Sequence, residues 1–406
     1  MRPFFARQDT VKFIPPGKTI GIVGAGQLGR MSAIAARQLG YRLAVFDQDA
    51  EAPTACIADH VVVAPLDDLD AARKFARLCD VVTFEFENIP ADTLRGIQEI
   101  TPVHPSPEIL HTTRHRIREK NALTNVGVAV APYASINEPA NIHALLERFG
   151  PGIAKTCELG YDGKGQFRLS TQNAIPAELI RSIEQGTEFV FEQLVPFEHE
   201  ISVIVARNDR GDIQTYEPFE NVHTNHILDL TIWPASVSQQ IQTTARSIAT
   251  SIAERLDLVG LMCVEMFVKA QGELIVNELA PRPHNSGHIT MDAAVTGQFE
   301  QHIRAVTGLP LGSTGRSLPA AMANLLGDLW FKNGKLTEPD FAAALATDSR
   351  VKLHLYGKSS PRPGRKMGHL NATSDSTTSD SVTLDNATSN REMSPMDSVI
   401  EARKRL

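Results

Sequence analysis

The sequence has few cysteines, an excess of acidic residues and no long apolar run, and each of these shortages excludes a class of protein. The four cysteines, Cys56, Cys79, Cys157 and Cys263, are too widely spaced for a local metal-binding motif, and each lies in or near an apolar run. We therefore expect buried free thiols in a reducing compartment. The formal net charge of −7 gives no general attraction to nucleic acid or to an anionic membrane, so any basic site must be local.

The distribution of hydrophobic residues limits the location and size of the domains. No apolar run reaches the length of a membrane span, and the run near the N-terminus is too short for a secretory signal. We therefore predict a cytoplasmic protein with no membrane partner and no nucleic-acid partner. A chain of 406 residues with 42% hydrophobic residues is long enough for two or three domains with a sizeable core.

A strand, a glycine turn, a helix and a second strand follow one another near the start of the chain. Lys18–Val23 is apolar and β-branched, Gly24–Gly29 follows it, Arg30–Leu39 has helical character, and the next strand ends at Asp47. This order is the dinucleotide-binding fingerprint in its expected context. A glycine turn of this kind also occurs where it only packs a helix on a strand. Both interpretations predict a doubly wound α/β domain over residues 18–112.

A predicted hairpin later in the chain places two acidic side chains opposite each other. Two apolar runs flank Gln271-Gly272, which favours a two-residue turn because glycine accepts a positive φ. In that register Glu265 faces Glu278, and like charges facing across strands destabilise a sheet by about 0.2–1 kcal/mol. A bound Mg²⁺ would compensate them, with the Asn277 amide beside it. A solvated face that carries two acids is the alternative.

The loop directly after this hairpin is rich in groups that bind anions and move protons. Arg282 supplies a guanidinium, His284 and His288 supply imidazoles, and Asn285 supplies an amide. Histidine has an ordinary pKa near neutrality, so His284 is a candidate for proton transfer. The sequence therefore predicts an active site at this end of the hairpin.

Two further segments carry cations or glycines that suit phosphate groups. A basic helix predicted over His111–Asn125 presents Arg116 and Lys120 on one face, for which a solvated surface is the alternative. Lys155 ends a strand and is followed by a glycine-rich loop at residues 160–166, which predicts a flap over phosphates. It is not a Walker A loop, because the Gly-Lys-Ser/Thr order is absent.

A Pro/Gly-rich turn over residues 357–369 and a polar segment after it precede the end of the chain. The turn concentrates four cations on an otherwise acidic protein and suits a phosphate monoester: Lys358, Arg362, Arg365 and Lys366. Asn371–Asn390 is rich in Ser, Thr, Asn and Asp, which predicts a disordered linker. Ser394-Pro395 then favours the start of a short final helix.

Several of these segments together resemble the ATP-grasp ligases. The resemblance is carried by Lys155 with GYDGKGQ at 160–166, by EQLV at 192–195 with Glu200, and by VEMF and NELAPRPHNSGH at 264–288. Within that family the chain is similar to the branch that carboxylates aminoimidazole ribonucleotide in purine biosynthesis, over residues 18–370. The resemblance implies an α/β and α+β fold: a doubly wound pre-ATP-grasp domain, an ATP-grasp domain with a lid, and a small β-rich C-terminal domain. The implied boundaries are an arm at 1–17, the N-terminal domain at 18–112, the ATP-grasp domain at 113–310 with its lid at about 125–192, the C-terminal domain at 311–370, the polar segment at 371–393 and the terminal helix at 394–406.

The resemblance also implies a reaction and a role for each site residue. ATP would convert bicarbonate to carboxyphosphate, and the amine of aminoimidazole ribonucleotide would capture the carboxyl group, with ATP and Mg²⁺ as cofactors and a homodimer as the assembly. The implied ATP-binding residues are Arg116, Lys155, Gly160, Tyr161, Asp162, Gly163, Lys164, Gly165, Gln166, Glu192, Gln193, Leu194, Val195, Glu200, His223, Asn277 and Glu278. The implied metal ligands are Glu265 and Glu278, and the implied catalytic residues are Arg282, His284, Asn285 and Lys358. The implied substrate-binding residues are Gln27, Glu85, Tyr161, Asp162, Lys358 and Arg365.

Other functions are consistent with parts of the sequence. A sibling ATP-grasp enzyme, such as a formate-dependent glycinamide ribonucleotide transformylase, would use the same nucleotide and metal residues with formate in place of bicarbonate. A dinucleotide-dependent oxidoreductase would use the glycine turn and Asp47, but it leaves the paired glutamates, the Lys155 flap and the basic turn without a role. A pure interaction protein leaves all of these polar residues unexplained.

Overall fold

Three principal sheets organise the residues that the structure, a computed structural model, describes: 13–158, 160, 165–375 and 393–406. The strands are β1 (Thr19–Val23), β2 (Arg42–Asp47), β3 (His60–Val63), β4 (Val81–Phe84), β5 (Tyr133–Ile136), β6 (Gly152–Thr156), β7 (Gln166–Leu169), β8 (Phe189–Gln193), β9 (His199–Arg207), β10 (Ile213–Thr215), β11 (Phe219–Thr224), β12 (Ile227–Trp233), β13 (Gly260–Val268), β14 (Leu274–Ala280), β15 (Ala320–Leu326), β16 (Phe331–Lys332), β17 (Lys335–Leu336), β18 (Lys352–Leu355) and β19 (Lys366–Thr373). The helices are α1 (Gln27–Gln38), α2 (Leu69–Ala76), α3 (Ala91–Gln98), α4 (Pro107–Thr113), α5 (Arg116–Asn125), α6 (Asn141–Phe149), α7 (Ala177–Glu184), α8 (Gln239–Arg255), α9 (Thr290–Ala293), α10 (Gln298–Val306), α11 (Phe341–Leu345) and α12 (Pro395–Arg405). Short 3₁₀ turns lie at Ala55–Ile57, Asn285–Ile289 and Gly327–Trp330.

The N-terminal sheet is parallel, with the strand order β3-β2-β1-β4, which confirms the predicted doubly wound domain. Its strands are apolar because helices cover them, and Phe46, Phe75 and Phe84 are among the fully buried side chains. Helix α1 begins at Gln27, earlier than the predicted Arg30, because the glycine turn leads directly into its first turn. The carboxyl end of β4 lies beside that helix N-terminus, which is where open α/β sheets bind ligands.

The prediction of one basic helix over His111–Asn125 is wrong, because the structure has two helices there, α4 and α5. His115 between them is extended (φ −124, ψ 112), and its Nδ1 accepts a hydrogen bond from the Arg118 amide at 3.4 Å. The imidazole therefore acts as an N-cap and starts a new helix. Arg116 and Lys120 lie on the face of α5 that contacts β14 and the next sheet, so this face is not a solvated surface.

The lid is defined here as β5 to β8 with α6 and α7. Its strands form a separate antiparallel sheet in the order β5-β8-β6-β7. Both helices pack on one face of it, where Ile142, Leu179 and Phe191 are buried. Because the lid has its own small core, it can move as a unit relative to the rest of the chain.

The longest sheet runs in the order β14-β13-β9-β11-β12-β15-β19-β18, with β10 paired to β9. Side chains of β13 alternate between its faces: Met262, Val264 and Met266 pack toward α8, whereas Cys263 lies in a different core cluster. Strands β15, β19 and β18 belong to the C-terminal part of the chain, yet β15 pairs directly with β12. The C-terminal segment therefore extends the sheet that carries the hairpin.

The chain end is more ordered than the sequence predicts. Residues 371–373 belong to β19, so the prediction of a linker starting at Asn371 is wrong there; the rest of the predicted segment, 376–390, lies outside the described residues. The predicted final helix is confirmed as α12, which buries Val399 and Ala402. Arg403 of this helix pairs with Asp229 of β12.

Two other expectations are tested by burial and helix length. All four cysteines are free, but only Cys157 and Cys263 are buried, whereas Cys56 is exposed and Cys79 is intermediate, so the prediction of four buried thiols is wrong for the latter two. Within the described ranges, no helix combines the length and apolar composition that a bilayer crossing requires.

Candidate active site

A cleft of about 990 Å³ separates the lid from the long sheet. Side chains from α5, β6, β9, β11 and the β13–β14 hairpin contribute to its walls. The predicted site residues that line it are Arg116, Lys155, Gly160, Gln166, Leu194, Glu200, His223, Glu265, Asn277, Glu278, Arg282, His284 and Asn285. Most of the residues assigned separately to nucleotide, metal and catalysis therefore meet in one cavity, whose size suits a nucleotide.

The hairpin places Glu265 directly opposite Glu278, as predicted, although its turn and its register near the tip differ from the predicted ones. The predicted two-residue turn is wrong, because the Lys269 amide donates to the Glu273 carbonyl at 2.9 Å around a longer loop. Gly272 has φ +78 in this loop, a conformation that glycine adopts without steric cost. The register then shifts at a bulge between the pairs Glu265–Glu278 and Met266–Val276, which restores the facing pair.

The bulge residue is Asn277, and the bulge changes which face its side chain occupies. Neighbouring side chains of a regular strand point to opposite faces. Here Asn277 and Glu278 both line the cleft, because the extra residue in β14 lets consecutive side chains share a face. The cleft therefore gains an amide oxygen beside two carboxylates.

Each carboxylate of the facing pair contacts a cation of the protein. Glu265 Oε1 lies 2.9 Å from His284 Nε2, and Glu278 Oε2 lies 3.1 Å from a guanidinium nitrogen of Arg116. Burial opposes charge on both members of the first pair, but Cys263 and Glu265 raise the pKa of His284, and His284 lowers the pKa of Glu265. Nδ1 of His284 accepts the Ser286 amide at 3.3 Å, so Nε2 carries the ring proton that faces Glu265. The role of His284 in proton transfer stays a prediction.

A buried ion triad lies beneath the lid face of the cleft. Glu192 Oε2 is 2.9 Å from Lys155 Nζ and 3.4 Å from Lys120 Nζ, and Lys120 is only 1% exposed. Glu192 thus orients Lys155, which lines the cleft, and its own side chain does not reach the cavity. Both lysines contact Oε2, and Oε1 has no hydrogen-bond partner among the described atoms, so the assignment of Glu192 to ATP binding stays a prediction.

Further paired groups complete the main cleft. His223 Nδ1 is 3.0 Å from Glu200 Oε2, and Arg282 is 2.9 Å from Glu87 at the end of β4. The side-chain amide of Asn285 is buried, and neither its Oδ1 nor its Nδ2 has a hydrogen-bond partner among the described atoms. An unsatisfied buried amide costs about 1–3 kcal/mol, so it indicates a place where a ligand binds.

The glycine-rich loop is described only at its ends. Tyr161, Asp162, Gly163 and Lys164 lie outside the described residues, whereas Gly160 and Gln166 line the cleft. Gly165 has φ +71, and its carbonyl accepts from the Thr156 amide.

Gln193 of the EQLV segment and Glu158 just before the glycine-rich loop have partners within the protein. The Gln193 side chain donates to the Phe149 carbonyl at 2.7 Å, and neither Gln193 nor Val195 lines the cleft. Glu158, just before the loop, is held by Arg114 at 3.1 Å and by Arg118 at 3.0 Å. These ion pairs join the lid to the α4–α5 junction.

The remaining predicted residues form a second cluster at the N-terminus of α1. Lys358 Nζ donates to Gln27 Oε1 at 2.5 Å and to the Lys366 carbonyl at 2.7 Å. Burial and the nearby Arg365 lower the pKa of Lys358 to about 8. Lys366 itself lines the main cleft, so the cluster and the cleft adjoin each other.

Glu85 and Asp47 occupy backbone amides that a dinucleotide phosphate would need. The Glu85 carboxylate accepts from the Gly26 amide and, at 2.7 Å, from the Gly29 amide. Asp47 Oδ2 accepts from the Ala25 amide at 2.7 Å. Protein carboxylates therefore already accept hydrogen bonds from the amides at the N-terminus of α1. A dinucleotide phosphate would have to displace them, which argues against the oxidoreductase interpretation.

Sequence reasoning missed two residues at or beside the cleft. Glu119 accepts from the Leu279 amide at 2.7 Å, and Cys263 lies beside His284. A signal was available for Cys263, which lies two residues before Glu265 on the same strand face. No sequence signal marks Glu119, whose partner is distant in the chain.

Comparison with known proteins agrees with this geometry. Three family models match the chain: a ribonucleotide synthetase preATP-grasp domain over residues 17–114, an ATP-grasp domain over 121–299, and a phosphoribosylaminoimidazole carboxylase C-terminal domain over 320–380. An N5-carboxyaminoimidazole ribonucleotide synthase from Bacillus subtilis is 44% identical over 360 residues, which are 88% of this chain and 92% of that protein. The corresponding protein from Brucella melitensis is 40% identical over 88% of this chain and 96% of its own length.

Solved structures give the same result. An ADP complex of an N5-carboxyaminoimidazole ribonucleotide synthetase has a TM-score of 0.83 at 40% identity, covering 90% of this chain and 95% of that chain. The Aspergillus clavatus enzyme in complex with ADP and 5-aminoimidazole ribonucleotide has a TM-score of 0.80 at 26% identity, covering 96% of this chain and 99% of that chain.

Proposed function

This chain belongs to the N5-carboxyaminoimidazole ribonucleotide synthase family of ATP-grasp ligases, and we propose that its cleft uses ATP and bicarbonate to carboxylate 5-aminoimidazole ribonucleotide. The observation that carries the proposal is the facing pair Glu265–Glu278, set in a cavity that also holds Lys155 and the Arg282 loop. In the proposed reaction bicarbonate attacks the γ-phosphorus of ATP and ADP leaves. The amine of the ribonucleotide then takes the carboxyl group of carboxyphosphate, or the CO₂ it releases, and phosphate departs.

The residues of the hairpin fit Mg²⁺. Two carboxylates and the Asn277 amide supply the hard oxygen ligands that this ion takes together with phosphate oxygens. We assign Glu265 and Glu278 as its protein ligands, with Asn277 beside them. When bound, the ion would neutralise charge on the β- and γ-phosphates during phosphoryl transfer.

The cations of the cleft have separate tasks in this proposal. Lys155, fixed by Glu192, and Arg116 on α5 contact phosphates, because both extend into the cavity from opposite walls. Glu200 holds the ribose, with His223 beside it. Arg282 and His284 stand at the carboxyphosphate anion and stabilise it, and Asn285 offers its unpaired amide. The lid excludes water, which would hydrolyse carboxyphosphate.

The α1 cluster suits the 5′-phosphate of the ribonucleotide. Lys358 and Arg365 supply the positive charge, and Gln27 positions Lys358. The Glu85 carboxylate accepts hydrogen bonds from the first amides of α1, so no second anion binds to those amides. Tyr161 and Asp162 are proposed to reach the substrate from the lid. Because Lys366 lines the neighbouring cleft, the phosphate end and the reacting amine can bind at the same time.

Lys358→Ala is expected to raise the KM for aminoimidazole ribonucleotide by about 10- to 100-fold, since a hydrogen bond to a charged group contributes about 1.5–3 kcal/mol. Steady-state kinetics should show a much smaller effect on bicarbonate-driven ATP hydrolysis without the ribonucleotide. Lys335→Ala, an exposed lysine of β17, is the matched control. An unchanged KM in Lys358→Ala would contradict the phosphate assignment.

The experiment that tests the function is phosphate release from Mg-ATP with aminoimidazole ribonucleotide, with and without added bicarbonate. Bicarbonate-dependent release with ADP as coproduct is expected. Release driven by formate and glycinamide ribonucleotide instead would assign the sibling transformylase reaction and overturn the carboxylation. The homodimer implied by the resemblance and the cytoplasmic location predicted from the sequence remain predictions, which light scattering and cell fractionation would test.

A further inference from the structure

Cys263 lies beside Glu265 and His284, and no step of the proposed reaction uses its thiol. Cys263 and Glu265 are two residues apart on β13, so their side chains lie on the same face of the strand. Met262, Val264 and Met266 pack on the opposite face. His284 arrives from the loop after β14. One ligand atom each from Cys263, Glu265 and His284 lies within 4.8 Å of the other two.

The chemistry of this set differs from that of the magnesium ligands. A thiolate, an imidazole nitrogen and a carboxylate are ligands that Zn²⁺ takes in tetrahedral sites with an open fourth position, whereas Mg²⁺ selects oxygen. Three protein ligands with one side open to the cleft match such a site, because Glu265 and His284 line the cavity. Cys263 is fully buried behind them.

The surroundings of His284 orient its ring for metal binding. Nδ1 lies 2.9 Å from Ser286 Oγ and accepts the Ser286 amide at 3.3 Å, which leaves Nε2 directed at Glu265. Ser286 Oγ lies 2.8 Å from Ser202 Oγ, and Asn221 donates to Ser202 at 2.9 Å. Metal-binding histidines commonly have their second nitrogen fixed by a hydrogen bond of this kind.

We propose that Cys263, Glu265 and His284 form a site for a thiophilic divalent cation of the Zn²⁺ class, which removes Glu265 from the magnesium centre. Binding releases the thiol proton to solvent and moves the His284 ring proton from Nε2 to Nδ1, where Ser286 Oγ can accept a hydrogen bond from it, and metal–sulfur, metal–nitrogen and metal–oxygen bonds form. The existence of the site is independent of the proposed function. Its competition with Mg²⁺ rests on that function, because Glu265 would serve both ions.

A second cluster with the same residue types provides an internal comparison. His115, Cys157 and Glu188 also approach within 4.8 Å, at the junction of the lid and α5. In both clusters the histidine Nδ1 accepts a backbone amide and Nε2 faces a carboxylate, at 3.0 Å for His115 and Glu188. The clusters differ in burial, because the Glu188 side chain is 74% exposed and the Glu265 side chain is 10% exposed. Water therefore competes more strongly for Glu188, and this cluster should bind a metal more weakly.

The test is a titration of the nucleotide-free enzyme with Co²⁺, which takes the same ligands and reports sulfur ligation by a charge-transfer absorption in the near ultraviolet. Wild type should develop this absorption, and Zn²⁺ should displace it. Cys263→Ser should lose it and bind Zn²⁺ at least about 100-fold more weakly by calorimetry, since even outer partners of metal ligands contribute 10- to 100-fold. Cys157→Ser should behave as wild type. Absorption that survives in Cys263→Ser, or disappears in Cys157→Ser, would overturn the proposal.

A second measurement does not depend on the folding of the Cys263 variant. X-ray absorption at the zinc edge of Cys157→Ser loaded with one equivalent should show a sulfur neighbour, and a first shell of nitrogen and oxygen only would overturn the site. In turnover assays, added Mg²⁺ should relieve zinc inhibition of wild type. Binding that requires Cys263 but does not compete with Mg²⁺ would instead contradict the magnesium role of Glu265 and leave the zinc site standing.

Discussion

Glu278→Gln is expected to lower kcat for bicarbonate-dependent ATP turnover by about 100- to 1,000-fold, the range found when one electrostatic group at a transition state is removed. The amide keeps the size of the side chain but loses the charge that a magnesium ion requires. Because the Glu278 side chain is 40% exposed on the cleft wall, the change should leave folding intact. Phosphate release as a function of Mg²⁺ concentration measures the effect, and excess Mg²⁺ should restore part of it.

The same hairpin offers a matched control for Glu278. Glu273 lies at its tip and pairs with Lys269 in solvent, so Glu273→Gln should retain wild-type turnover. Equal activity of both variants would remove Glu278 from the metal site while leaving the fold unaffected.

Glu192→Gln is expected to reduce the free energy of unfolding of the lid by about 3–5 kcal/mol, because it leaves two buried lysines without their anion. Lys155 and Lys120 both contact the same carboxylate oxygen, and Glu192 is 5% exposed. Urea denaturation followed by amide exchange of β6 and β8 would measure the loss within the lid. Glu188→Gln, at an exposed carboxylate just before β8, is the control and should cost little.

The triad also predicts how lid stability changes with pH. Burial alone would raise the pKa of Glu192, but Lys155, Lys120 and Arg116 lower it from 4.5 to about 2. A carboxyl group with a lowered folded-state pKa stabilises fully above its unfolded value and loses that contribution as pH falls toward the folded value. The difference between wild type and Glu192→Gln should therefore shrink by about 1.4 kcal/mol for each pH unit below 4.5. A difference that stays constant from pH 6 to pH 3.5 would contradict the ion triad.

The sequence predicted the carboxylate pair because strand pairing follows a simple register rule. It could not predict the Asn277 bulge, because the loop length and the bulge change the register in opposite senses and leave the same pair facing. Likewise, the face shared by Arg116 and Lys120 follows from helical spacing, but the break at His115 depends on a tertiary cap. The local sequence pattern thus identified which side chains share a face. It did not identify the bulge or the helix break, because these depend on hydrogen bonds that the pattern does not specify.

Long-range partners account for the remaining differences. The resemblance assigns Glu192 to the nucleotide, and it does not show that the Glu192 side chain pairs with Lys155 and Lys120 from two other elements. The resemblance assigns Glu85 to substrate binding, and the structure shows its carboxylate at the backbone of α1. The predicted small β-rich C-terminal domain is confirmed, but the sequence does not show that its strand β15 joins the long sheet through β12. In each case the residue type indicated a polar or paired position, but the sequence did not indicate which distant residue or strand would be its partner.

The bulge at Asn277 makes the tip of the hairpin a permissive place for protein engineering. A one-residue slip in a continuous ladder would rotate Glu278 to the opposite face of the sheet. Here the segment between the bulge and the tip, Met266 to Val276, has its own register, distinct from that of the carboxylate pair. Insertions between Lys269 and Glu273, such as an epitope or a fluorophore attachment sequence, can therefore be absorbed beyond the bulge. A reporter placed there would lie on the same ribbon as the active site without altering its geometry.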